Sequence, residues 1–181
     1  MTLLDSAIHA ITSWDPRNGA EEKAKADFVS ALDHGEAVLS RHPLPTHLTA
    51  SAFVLDRGRE FVLLVFHRKG RFWVQPGGHL EDDDASVESA ALREAREETG
   101  LAGDLLHGAR VVDLDHHALA GAFGHCRSHL DIGVVVFTDG TPAPTVSDES
   151  EAVRWFPVNA LPDGVVNGFR ERLDGVLARL G

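Results

Sequence analysis

The first part of the chain carries apolar residues at helical spacing. The earliest of them are Leu3, Leu4, Ala7, Ile8 and Ile11. This spacing predicts a helix that ends before the turn residues at 15–19. A second helix is predicted over residues 20–39, with Phe28, Leu32 and Leu39 on its apolar side. After a proline-containing connector, residues 1–45 are thus predicted to be an N-terminal helical extension, packed on the rest of the chain or on a second subunit.

Apolar runs typical of strands replace the helical spacing after residue 46. They predict strands at residues 49–55, 61–67, 72–75, 110–116, 130–138 and 152–156. A helix between the third and fourth strands is predicted to begin near Asp84 or Ser86, either of which can cap its free amides. An amphipathic helix over residues 165–180 closes the chain. Strands on both sides of a central helix, with further helices flanking them, predict an α/β domain over residues 46–181.

The densest chemistry lies in the segment GGHLEDDDASVESAALREAREETGL, which begins at Gly77. Glu94, Glu97 and Glu98 are spaced i, i+3 and i+4, so a helix places their carboxylates on one face within one turn. Like charges at this spacing repel by roughly a few tenths of a kcal/mol per pair. A divalent cation relieves that repulsion, and clustered oxygen ligands suit Mg²⁺ or Mn²⁺. The alternative interpretation is a solvated, glutamate-rich helix face. The glycine pair before the helix argues against this alternative.

This segment resembles the Nudix box, whose pattern is G-x5-E-x7-R-E-U-x-E-E-x-G-U, where U is aliphatic. Gly78 matches the first glycine, and residues 93–101 match the second half, with Ala95 at the first aliphatic position. The chain departs from the pattern twice: Asp84 replaces a glutamate, and one extra residue precedes Arg93. The resemblance implies a mixed β-sheet sandwiched between helices, with the box forming a loop, a helix and a loop.

The resemblance also implies a set of metal ligands and an activity. Glu94, Glu97 and Glu98 are the expected ligands of Mg²⁺ or Mn²⁺, with the carbonyl of Gly78 as a further one, and Arg93 is expected to pair with Asp84. The implied reaction is metal-dependent hydrolysis of a diphosphate linkage in a nucleoside diphosphate derivative, with water attacking phosphorus. A box glutamate is one candidate for the general base. The others are Glu149 and Glu151, before the last strand, for which an acidic surface turn is the alternative.

Three residues near the box are candidates for substrate binding. Arg68, beside Lys69, can meet substrate phosphates or simply lie in an exposed hairpin. Trp73 can stack on a base or fill the core, and filling the core is the commoner role. His79 directly follows the glycine pair.

Histidines are frequent, eleven in all, and several lie close together around the predicted strands at residues 110–116 and 130–138. They are His116, His117, His125 and His129, and Asp113, Asp115 and Asp131 lie among them. A second metal site is one interpretation, since imidazole and carboxylate suit Zn, Mn or Fe; histidines lining a cleft or hairpin are the other. Cys126 has no evident activating partner and is not expected to be a nucleophile.

Composition narrows the classes of partner. The chain has 181 residues, 43% of them hydrophobic and 25% charged, which is typical of one globular domain. A net charge of −11 disfavours nucleic acid and anionic membranes. The single cysteine allows no internal disulfide, and neither a signal-peptide pattern nor a membrane-length apolar run is found. We therefore expect a cytoplasmic protein. The resemblance implies that it binds a small nucleotide, and packing of the N-terminal extension on a second subunit would make it a homodimer.

Two other functions remain compatible with the same resemblance. One is a catalytically silent Nudix-fold domain that binds a nucleotide as a sensor, although such domains usually lose box acids. The other is isoprenyl diphosphate isomerisation, which needs a cysteine in the site and for which Cys126 is a weak match. The sequence leaves open nucleoside triphosphates, sugar nucleotides and dinucleotide polyphosphates as substrates.

Overall fold

A computed structural model describes residues 1–40, 42, 44–119, 126–146 and 150–181. Its helices are α1 (Leu3–Ser13), α2 (Gly19–Ala31), α3 (Val87–Thr99) and α4 (Phe169–Leu180), with 3-10 segments at Leu32–Leu39 and Gly103–Leu105. Its strands are β1 (Thr46–Asp56), β2 (Phe61–His67), β3 (Phe72–Val74), β4 (Gly77–His79), β5 (His107–Ala118), β6 (Ser128–Thr138) and β7 (Ser150–Pro157). Within the described residues, no helix is both long and apolar enough to cross a lipid bilayer.

The strands form one mixed sheet with β1 near its centre. The order is β3-β2-β1-β6-β5, while β4 pairs with β1 and β7 pairs with β2. β1 and β6 are parallel over eleven residue pairs, from Thr46 with Ser128 to Asp56 with Thr138. β1 is buried along nearly its whole length, as a strand must be when both faces of the sheet are covered.

Helices cover both faces of this sheet. Ala50, Ala52 and Val54 of β1 belong to a buried cluster that includes apolar residues of α1 and α3. Phe53 and Leu55 belong to a second cluster, on the other face, that includes apolar residues of α4. The two clusters follow from the alternation of side chains along a strand. The predicted α/β fold, a mixed sheet between helices, is confirmed.

The N-terminal segment packs on the rest of the chain. Ile11, Phe28 and Val38 lie in the same buried cluster as the sheet residues that face α3. The Ser6 hydroxyl accepts a hydrogen bond from the backbone N–H of Val87, the first residue of α3, at 3.2 Å. The division into an extension and a domain at residue 45 stays a prediction.

Two predicted helices are shorter than expected. The α-helix predicted over residues 20–39 ends at Ala31, and a 3-10 segment follows in which Gly35 has φ of 57°. That left-handed backbone cannot continue an α-helix, and glycine adopts it without steric cost. The closing helix begins at Phe169 rather than at 165, because Val165 forms a parallel bridge with Trp73 of β3.

Ser86, rather than Asp84, caps helix α3. Its hydroxyl accepts from the N–H of Ser89, and the hydroxyl of Ser89 accepts from the N–H of Ser86, so free amides at the helix start are satisfied reciprocally. At the other end, the N–H of Gly100 donates to the carbonyl of Arg96 at 2.9 Å. The helix is thus fixed at both termini, and Asp84 is left for a different role.

The face of the sheet under α4 changes from apolar to polar along its length. Arg172 of α4 contacts three carboxylates there: those of Asp113 at 2.7 Å, Asp115 at 3.4 Å and Asp131 at 2.8 Å. The carboxylate of Asp131 also accepts from the hydroxyls of two β1 residues. Burial raises the pKa of Asp113 above its ordinary value, although Arg172 opposes this shift.

The raised pKa of Asp113 predicts how stability changes with pH. Since the folded pKa lies above the unfolded pKa of about 3.9, ionising Asp113 costs the folded state as pH rises past that value. We expect Asp113→Asn to gain stability relative to the wild type between pH 4 and pH 7, measured as the free energy of urea unfolding. Asp174→Asn is the control, because Asp174 is 59% exposed in a helical ion pair. A relative stability that falls over this range would contradict the prediction.

Candidate active site

The guanidinium of Arg93 connects three parts of the box. It donates two hydrogen bonds to the carboxylate of Asp84, at 3.1 and 2.9 Å, and one to the backbone carbonyl of His79 at 2.9 Å. Its remaining nitrogen lies 2.9 Å from a carboxylate oxygen of Glu94 and 3.1 Å from one of Glu97. The loop, the short strand β4 and helix α3 are therefore held by one side chain.

Asp84 anchors the loop that precedes the helix. Its side chain is 6% exposed, and besides the two bonds from Arg93 it accepts one from the N–H of Glu81 at 2.9 Å. The hydrogen bond to Asp84 is the largest of the effects that raise the pKa of Arg93. The Arg93–Asp84 pair predicted from the sequence is formed, and the shorter side chain and extra residue are accommodated.

The three box glutamates lie around Arg93 and strand β4. Glu98 is buried, and its carboxylate accepts a hydrogen bond from the N–H of Gly77 at 2.9 Å. Glu94 lies against Gly78: a Cβ added at that glycine would be 2.5 Å from a carboxylate oxygen of Glu94. Glu97 is 58% exposed. Two of the carboxylates thus face consecutive residues of β4, and the third is open to solvent.

This arrangement fits a hard divalent cation. Carboxylate oxygens are the donors that Mg²⁺ and Mn²⁺ prefer, and here three of them arise from one turn of helix. Gly78 leaves a space beside Glu94 that the side chain of any larger residue would fill. Glu94, Glu97 and Glu98 are therefore residues that could hold the ion, and the carbonyl of Gly78 stays a predicted further ligand.

The other predicted site residues lie in varied surroundings. Arg68 is exposed in the turn between β2 and β3. Trp73 packs edge-on against Phe66 and Phe156, with ring centroids 5.2 and 4.9 Å apart, so it fills the core on the α4 side of the sheet. Glu151 pairs with Arg71 at 2.5 Å. Glu149 lies outside the described residues.

The predicted second site of histidines and aspartates is not formed as a unit in the described part of the chain. His116 hydrogen-bonds to Asp27 and Ser128, and His117 to Asp115. The aspartates are turned toward Arg172, and His125 lies outside the described residues. His129 instead lies beside His47 and His79, whose ring centroids are 5.1 and 5.4 Å from its own.

The pair between Arg93 and Asp84 makes a testable contribution to stability. Asp84→Asn leaves a largely buried guanidinium without its main counter-charge, so we expect the free energy of unfolding to fall by about 3 kcal/mol. Glu81→Gln is the matched control, because Glu81 is 62% exposed and 3.7 Å from Arg93, where loss of charge costs less than about 1 kcal/mol. Urea unfolding of both variants measures the difference, and equal effects would contradict a specific role for Asp84.

Comparison with known proteins identifies a family that this chain matches. The model of the NUDIX domain matches residues 45–179. Phosphatase NudJ of Escherichia coli K12 is 38% identical over 65 residues, which are 36% of this chain and 42% of NudJ. The match to this relative therefore spans less than half the length of either protein.

Solved structures show the same fold. An Ap4A hydrolase of C. elegans has a TM-score of 0.61 and 15% identity, covering 74% of this chain and 96% of its own. The NUDIX domain of Shewanella oneidensis NrtR, crystallised with ADP ribose, has a TM-score of 0.58 and 17% identity, covering 74% of this chain and 88% of its own. With the domain match extending over most of the sequence, this chain belongs to the Nudix family.

Proposed function

We propose that this protein is a metal-dependent hydrolase that cleaves a diphosphate linkage in a nucleoside diphosphate derivative by attack of water on phosphorus. The observation that carries the proposal is the retention of Glu94, Glu97 and Glu98 on one helical turn, arranged around Arg93 and β4. If the helix face were merely solvated, there would be no reason for the two glycines of β4 to pack against two of its carboxylates.

Each residue of the site has a separate task in this proposal. Bound Mg²⁺ or Mn²⁺ would offset phosphate charge and lower the pKa of a water molecule. Glu94, Glu97 and Glu98 hold the ion, and the exposed Glu97 is the one that solvent and substrate reach most directly. Arg93 orients Glu94 and Glu97 by hydrogen bonds and fixes the loop through Asp84. It acts as a positioning residue.

Arg93 also keeps the carboxylates together before a cation binds. It contacts Glu94 and Glu97 through the same nitrogen, so their mutual repulsion is reduced without an ion. A pre-formed site avoids the reorganisation that binding would otherwise require.

The charge of the site and the similar structures support a substrate class. Three carboxylates bind a divalent ion, and a substrate with adjacent phosphates can share that ion. The Ap4A hydrolase and the ADP ribose complex among the similar structures are consistent with a nucleotide containing linked phosphates. Arg68 is retained as a candidate phosphate contact. The packing of His79 against His47 and of Trp73 in the core argues against a substrate contact for either ring.

A nucleotide sensor without catalysis is the second candidate, for which binding of a nucleotide, as in the NrtR domain complexed with ADP ribose, would be sufficient. In a sensor the carboxylates would bind the ligand's metal without turnover. The complete set of box acids supports the hydrolase.

Glu97→Gln tests the hydrolase directly. We expect turnover of nucleoside diphosphate derivatives with Mg²⁺ or Mn²⁺ to fall by about 10³-fold or more, because the ion contributes several kcal/mol to the transition state. Phosphate and nucleotide release over a substrate panel, with and without chelator, measures this. Glu88→Gln is the matched control on the same helix, and its turnover should be unchanged. Nucleotide binding with no turnover in the wild type would support the sensor instead.

The general base is proposed to be Glu149 or a box glutamate. Glu151 is less suitable, since it is paired with Arg71. If Glu149 is the base, Glu149→Gln should lower turnover by about 10²–10⁴-fold and remove the acidic limb of the pH–rate profile. Glu151→Gln is the control. An unchanged profile in Glu149→Gln would assign the proton transfer to the box.

A further inference from the structure

Four metal-ligating side chains meet at one end of the sheet, apart from the box glutamates. They are His47, His79, Cys126 and His129, and one ligand atom from each lies within 4.8 Å of all the others. They come from β1, β4, the residue stretch before β6, and β6 itself. Strand pairing explains how the three histidines meet, because His47 is the register partner of His129 and His79 is that of Thr49, two residues along β1.

The imidazole rings are packed against one another rather than against carboxylates. The rings of His47 and His79 are stacked with centroids 5.1 Å apart, and His129 approaches both edge-on. Among the described residues, Nε2 of His129 is buried and has no hydrogen-bond partner. Burying such a nitrogen is unfavourable unless something binds it.

The chemical state of the cluster suits coordination. Nδ1 of His47 donates to the carbonyl of Leu44 at 3.2 Å, which leaves the lone pair of this ring on Nε2. Metal-bound histidines typically have such a partner on their other nitrogen.

We propose that His47, His79, Cys126 and His129 form a second metal site, which binds Zn²⁺ and is structural. Three imidazole nitrogens and one thiolate are donors that Zn²⁺ accepts and Mg²⁺ does not. In a tetrahedral zinc site the ligand atoms lie about 3.3–3.7 Å apart, so a contraction of about 1 Å completes the geometry. Four protein ligands leave no open position for water or substrate, which is the mark of a structural site.

The position of this site gives it a mechanical role. β4 is only three residues long, and its consecutive residues serve the two sites: Gly78 lies against Glu94, whereas His79 belongs to the cluster. Zinc would tie β4 to β1 and β6, and so hold the strand against which the box carboxylates are arranged.

Metal content and cobalt spectroscopy of the full chain test the site. We expect one Zn²⁺ per chain by elemental analysis, and a thiolate-to-cobalt charge-transfer band when Co²⁺ replaces it. Cys126→Ser should abolish the band, and both Cys126→Ser and His129→Gln should weaken Zn²⁺ binding by more than about 100-fold, beyond the effect of losing a supporting residue. His107→Gln, a histidine elsewhere on β5, should behave as the wild type.

A thermal measurement separates loss of the metal from loss of the fold. Zn²⁺ should raise the melting temperature of the wild type and of His107→Gln, but not that of Cys126→Ser, whose far-ultraviolet circular dichroism should match the wild type. Zn²⁺ binding that survives in Cys126→Ser and His129→Gln but is lost in Glu94→Gln would overturn the proposal, since the box would then be the site. Absence of Zn²⁺ binding in the wild type would overturn it as well.

Discussion

The site depends on the repulsion between carboxylates on one turn of α3, and Arg93 is the residue that reduces this repulsion. A guanidinium can bind several carboxylates at once because its donors point in different directions. Here it uses two on Asp84 and others on Glu94 and Glu97. One side chain therefore connects helix α3 to the loop before it and fixes the spacing of the candidate ligands. A lysine could not make all of these bonds.

Much of the fold was predictable because burial leaves a local signature. β1 and β6 are apolar runs covered on both faces, and their pattern was sufficient. β4 was not predicted because Gly77 and Gly78 have no preference for strands. This strand forms through close packing on β1: a Cβ added at Gly77 would lie 2.5 Å from the Cβ of Ser51. The second helix was predicted too long because periodicity continues past Gly35, where the backbone does not.

The same contrast between local and long-range information applies to the sites. Glu94, Glu97 and Glu98 can be recognised from spacing, since a helix alone brings them together. The cluster at His47, His79, Cys126 and His129 cannot, because its histidines meet only through the register of three strands. The sequence did indicate that histidines were unusually frequent, but it pointed to aspartates as their partners, and Arg172 binds those aspartates.

The parallel pairing of β1 with β6 also has a consequence for the order of folding. Paired positions such as Thr49 and Asp131 are 82 residues apart, and the whole box lies in the loop between them. Closing such a loop is entropically costly, and contacts of this range slow folding. During synthesis, β1 can pair with β6, its longest neighbouring strand, only after most of the chain has emerged from the ribosome. Until then the box helix lacks the completed sheet on which it rests.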